Sequence, residues 1–160
     1  MELHNTKIDI PKGKREKLAA ILNQSLADAS DLRSQAKQAH WNVKGMNFIA
    51  LHKLFDEVTA ELDTYVDDIA ERITTLGGTA LGTVRLAAEH SSLAEYPHEI
   101  TDGTAHIDAL SSALADLGKK TRQNIDEAED LDDKDTADLY TNVSSGLDKL
   151  LWFVEAHQQS

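Results

Sequence analysis

Apolar residues along the chain recur at steps of three and four, the period of a helix that buries one face. Four long segments carry the pattern. The first runs from about residue 12 to 42, with Leu18, Leu22, Ala29, Leu32, Ala36 and Val43 in register. Gly45 is its expected stop, because glycine readily takes the left-handed backbone that ends helices. The second, from about residue 47 to 76, is the clearest. Leu51, Phe55, Val58, Leu62, Tyr65, Ile69, Ile73 and Leu76 step by three or four throughout, and Gly77-Gly78 closes it. Residues 77–102 are mixed. Gly82 and Tyr96-Pro97 punctuate them, residues 83–89 suit a short helix, and Thr101 or Asp102 offers an N-cap. The third long helix then extends to about residue 128, with Ile107, Leu110, Leu114 and Leu117 in register. After an acidic stretch the fourth begins near Asp133 and runs to the C-terminus through Tyr140, Val143, Leu147, Leu150 and Val154.

The first and second long helices have a short connection, as do the third and fourth, which makes each pair antiparallel neighbours. The roughly 25-residue link between the pairs is long enough to cross a bundle. No segment reads as a strand. The predicted architecture is all-α: a ferritin-like four-helix bundle with a long crossover, containing a short helix, between helices two and three. The 160 residues suit one domain over 1–160, with a short N-terminal tail over 1–11 and a short C-terminal tail over 156–160.

Composition narrows the chemistry. There is no cysteine, which excludes disulfides, thiolate metal sites and cysteine nucleophiles. No apolar run approaches ~18 residues, and the N-terminus lacks a secretory pattern. A cytoplasmic location with no membrane partner is expected. The formal charge of −12 repels nucleic acid and attracts cations.

The polar residues of the second helix form a stripe of their own. His52, Asp56, Asp63 and Asp67 step by four, seven and four, and Glu71 continues the line. Residues four apart share a helix face. Oxygen and imidazole ligands together suit iron, manganese or zinc, and carboxylate-rich sets favour iron and manganese. His40, at the end of the first helix, falls near that helix's core register and could face the same place. Acids on a helix are ordinarily a solvated face, and a lone histidine near an apolar stripe ordinarily packs in the core. A solvated stripe, however, would be expected to intersperse lysine, and this one holds none. Asp56 and Asp67 lie about 16 Å apart at ~1.5 Å per residue. One helix therefore cannot bring His52-Asp56 and Asp67-Glu71 to one ion. Either other helices complete two half-sites, or a second copy does. Two antiparallel copies of this helix about a two-fold axis near Glu61-Leu62 set one pair opposite the other and generate two identical sites. An interfacial site is the prediction.

The stretch Lys37-Gln38-Ala39-His40-Trp41-Asn42-Val43-Lys44-Gly45, then His52-Lys53-Leu54-Phe55-Asp56 and Asp67-Asp68-Ile69-Ala70-Glu71-Arg72, closely resembles the Dps family of miniferritins, the DNA-binding proteins from starved cells. The ending from Leu147 to Glu155 is similar to that family's last helix, and the resemblance covers about residues 14–155. It implies a hollow dodecamer that oxidises Fe²⁺, typically with hydrogen peroxide, and stores ferric mineral as part of a stress response. It implies a ferroxidase site with two irons at the two-fold interface. His40, His52 and Asp56 would come from one subunit, and Asp67 and Glu71 from its partner. In those roles Asp56 and Glu71 ligate iron directly, the histidines supply imidazole, and Asp67 either ligates or orients a neighbour. Zinc or manganese could substitute. Trp41 matches a tryptophan near the family's site, where packing is its plainer role and redox activity the bolder one.

Residues 126–138 hold eight acids and one lysine. Asp132 and Asp133 suit the positive end of the last helix. By the resemblance, acids of this region line three-fold pores, and Asp130, Asp135 and Asp138 are the candidates, although extra residues around 130–133 shift the match. Several relatives bind DNA through a lysine-rich N-terminal tail. Here Lys7, Lys12, Lys14, Arg15 and Lys17 are basic, but most belong to the start of the first helix, and the C-terminus adds no basic tail. An iron-oxidising store is thus preferred to a DNA-compacting nucleoid protein with a secondary metal site, or to a non-catalytic bundle on the same fold.

Overall fold

The structure is a computed structural model that describes residues 2–159. The helices are α1 (Lys12–Asn42), α2 (Phe48–Thr75), α3 (Val84–His90), α4 (Gly103–Asp130) and α5 (Lys134–Glu155). Among the described residues there is no strand beyond an isolated bridge between Lys44 and Asp102. No helix is long and apolar enough to cross a membrane. The all-α bundle with a helix-bearing crossover is therefore as the periodicity predicts. α1 packs along α2 and α4 along α5, while α1–α4 and α2–α5 contacts join the two hairpins.

The predicted stripes are the core. Leu18, Leu22, Leu32, Phe55, Leu62, Ile73 and Leu110 are fully buried. Each such side chain contributes about 1.5–3 kcal/mol relative to exposure. Tyr140 is buried among them, and its hydroxyl meets Ser25 Oγ at 3.0 Å, so its polar end is satisfied.

Three helix starts are fixed by side-chain caps. Thr83 accepts from the Leu86 amide, Asp102 from Ala105 and Asp133 from Thr136. α1 ends where the periodicity predicts, but not through Gly45. The helix stops at Asn42, because Val43 is extended and the Lys44 amide donates to Thr101 O at 2.8 Å. Gly45, at φ +111°, shapes the turn that follows rather than the cap. Gly77, at φ +86°, does end α2, and its carbonyl accepts from the His4 amide at 2.7 Å. The segment before α1 is thus docked on the bundle, with Leu3 buried.

Candidate metal centre

The α1–α2 hairpin brings His40 and His52 face to face. Their rings stack with centroids 3.8 Å apart and planes 21° from parallel. His40 Nδ1 meets the His52 carbonyl at 2.7 Å, and His52 Nδ1 meets the His40 carbonyl at 2.8 Å. A carbonyl only accepts, so both Nδ1 atoms carry the proton. In the neutral ring this leaves the lone pair on Nε2, the atom through which imidazole then ligates a metal. Two histidines in sequence positions that only the hairpin unites have become a reciprocally locked pair.

Asp56 lies one turn from His52, with its Oδ1 4.0 Å from His40 Nδ1. It also forms an ion pair with Lys37. The hydrogen bond from Lys37 is the main reason its carboxyl is held below the usual carboxylate range. Arg33 donates to Asp63 at 2.7 Å in the same way. The facing helix α1 thus supplies cations to two acids of the α2 stripe, Asp56 and Asp63. Asp63 is thereby engaged in an intrachain pair.

Asp67 and Glu71 continue along α2 away from the histidines and are exposed. Among the described residues their carboxylates have no hydrogen-bond or ion-pair partner. An open depression of about 580 Å³ lies beside Asp67, lined also by Asp63, Val66, Asp68 and Gly82. Among the described residues, no three histidine or acidic side chains converge within one chain to hold an ion. The structure thus joins His40, His52 and Asp56 in one neighbourhood and leaves Asp67 and Glu71 in another.

The ferritin-like domain family matches residues 19–160. The DNA protection during starvation protein of Agrobacterium fabrum (strain C58) is 43% identical over 159 residues, covering 99% of this chain and 98% of that protein. The chain belongs to the Dps family. Mycobacterium smegmatis Dps, in a tetragonal form, matches with a TM-score of 0.93 and 33% identity over 98% of this chain and 96% of that one. Dps from Microbacterium arborescens, in its high iron form, matches with a TM-score of 0.87 and 32% identity over 97% and 99%.

The acidic segment of this Dps chain divides in two. Asp133 is 2% exposed and caps α5. Its carboxylate takes both oxygens to Arg72, at 2.8 and 2.9 Å. Asp132, at φ +59°, pairs with Lys14. These two acids are structural. Asp130, Asp135 and Asp138 are exposed around the α4–α5 turn, which leaves them as the pore candidates. Trp41 is 67% exposed at the end of α1, outside the core.

Three residues escaped the sequence reading. Lys37 stands one turn before His40 on α1 and was legible only as part of a motif. Tyr96 and His106 meet from the crossover and α4, with Oη to Nδ1 at 2.5 Å, and no periodic signal marks them.

Proposed function

We propose that two copies of this chain bind Fe²⁺ between them, oxidise it and store the ferric product inside a hollow dodecamer. His40, His52 and Asp56 of one copy form half of each site, and Asp67 and Glu71 of the other complete it. Iron is the substrate. Two Fe²⁺ ions give one electron each to hydrogen peroxide, whose O–O bond breaks, and two protons from solvent complete two waters. The chain's part is to position and charge the site. Asp56 and Glu71 supply anionic oxygen, the two Nε2 atoms supply nitrogen, and Asp67 ligates or orients a neighbour. Zinc or manganese would compete for the same atoms.

The observation that carries this reading is the reciprocal Nδ1-to-carbonyl pair, which frees both Nε2 atoms together beside an exposed carboxylate. Packing alone does not require two stacked histidines in one tautomer. The unpartnered Asp67 and Glu71 support completion by a second copy, as does the exposed apolar surface of Ile49 and Phe48 flanking His52. The high iron form of the M. arborescens relative supports iron. Exposed acids at the α4–α5 turn, Asp130, Asp135 and Asp138, fit an electronegative entry for cations.

Protection of DNA follows from removing iron and peroxide rather than from coating the duplex. Lys14 is tied to Asp132, and Arg15 is buried, donating to Leu76 O at 2.8 Å. A gel shift at low salt and near-neutral pH should show no retarded band. The decisive assay is stopped-flow absorbance of peroxide-driven Fe²⁺ oxidation, with the assembly mass measured alongside. His52→Ala with Asp56→Ala should abolish the rapid phase while the assembly persists. An unchanged rate would overturn the site.

A further inference from the structure

His106 is a buried titratable group that the iron site does not use. It lies on α4, is 0% exposed, and takes Tyr96 Oη at 2.5 Å on its Nδ1. Its Nε2 is buried without a hydrogen-bond partner among the described residues. His106 Nδ1 is the one acceptor within reach of the Tyr96 O–H among the described residues, so the phenol donates to it. The two rings stack at 6.0 Å and 18°. On the other side, His106 lies 6.3 Å from the ring of Phe55, which sits in α2 immediately before Asp56 and three residues after His52. An oxidisable phenol and a hydrogen-bonded base for its proton thus pack against the aromatic ring that directly precedes Asp56 in α2. Burial alone would be served by Phe and Leu at these positions at no desolvation cost.

We propose that Tyr96 is a reserve electron donor to the iron site and that His106 takes its proton. This rests on the ferroxidase reading above. Peroxide needs two electrons to become water. When only one Fe²⁺ is bound, a single electron cleaves the O–O bond and releases hydroxyl radical. Tyr96 supplies the missing electron. Fe²⁺ gives one and becomes Fe³⁺. Tyr96 gives the other and becomes a neutral phenoxyl radical, its O–H proton passing to His106 Nδ1. The peroxide O–O bond breaks, and two protons from solvent complete two waters. Burial raises the Tyr96 phenol, so it stays protonated at rest and loses its proton only on oxidation. Trp41 is less suited, because its ring is 67% exposed and its indole N–H has no base among the described residues.

The test uses the assembled protein loaded with less than one Fe²⁺ per site, mixed with peroxide and freeze-quenched for electron paramagnetic resonance. An organic radical should appear and narrow when ring-deuterated tyrosine is incorporated. Tyr96→Phe should lose it and release more spin-trapped hydroxyl radical per Fe²⁺. Tyr65→Phe and Tyr140→Phe should keep the radical. His106→Gln, which can accept a hydrogen bond but is not a base, should shorten the radical's life. Circular dichroism and assembly mass control for folding. A signal that survives in Tyr96→Phe, or that disappears in Trp41→Phe instead, overturns the proposal. So does iron consumption by the wild type with no radical at all, which leaves the ferroxidase reading intact. Failure of the wild type to consume Fe²⁺ at full loading would instead sink that underlying reading.

Discussion

Asp133→Ala should be the most damaging single change at the α4–α5 turn. The residue serves two elements. It caps α5 through the Thr136 amide, and both its oxygens accept from Arg72 Nη2 near the end of α2, one residue past Glu71. Loss of the cap costs about 1 kcal/mol. Truncating one partner of a buried pair costs about 3–5 kcal/mol, since the remaining charge is left unpaired. Arg72 retains 15% exposure, a bond to Thr136 Oγ1 and a distant Asp135, so about 2 kcal/mol is the better figure for this part. The sum, about 3 kcal/mol, corresponds to a fall in Tm of roughly 6–12 °C for a chain of this size. Calorimetry of the assembly at fixed protein concentration measures it, because association makes Tm concentration-dependent. Asp133→Asn keeps the cap and should lose only the pair's share, about 2 kcal/mol. Arg72→Met should recover part of the loss in Asp133→Ala, since it removes the stranded charge. A fall below about 3 °C, or full additivity of the two changes, would refute the coupling.

The same carboxyl sets a pH dependence. Burial pushes Asp133 up, but Thr136 and Arg72 outweigh it and hold the group below its usual 3.8. A depressed folded value means stabilisation that is complete above the unfolded value and lost as pH falls through the folded one. The Tm gap between wild type and Asp133→Asn should stay constant at neutral pH and shrink below 3.8. Gly146→Ala should destabilise by about 1–3 kcal/mol, because a Cβ there would sit 1.7 Å from Tyr65 Oη, and Tyr65→Phe should recover part of this in denaturant melts. Lys37→Met should tighten Co²⁺ binding several-fold in calorimetric titration, since it removes a cation paired with Asp56. Weaker binding would mean that Lys37 orders the ligand rather than competing for it.

The helices were legible because each buries one face, and burial of one face imposes a 3.6-residue period on the sequence. Leu51 to Leu76 needed no tertiary knowledge to read. The helix ends were harder. Gly77 announced itself, whereas the chain leaves α1 before Gly45 as Lys44 pairs with Thr101, a contact 57 positions away that no local signal encodes. The candidate ligands were legible as residue types and spacing, and helix rise alone separates His52-Asp56 from Asp67-Glu71.

The sequence by itself determined an all-α bundle and an acid-histidine stripe too long for one ion. Only the tertiary structure decided which stripe residues are engaged. It paired Asp63 with Arg33 and Asp56 with Lys37, sorted Asp133 into a structural pair, and fixed both histidine tautomers. These depend on residues brought together across α1, α2 and the α4–α5 turn, and side-chain partnership across helices leaves no period along the chain. The Tyr96–His106 pair has the same origin, since the end of the crossover, the Asp102 cap and the first residues of α4 separate two residues that fold into a single hydrogen bond.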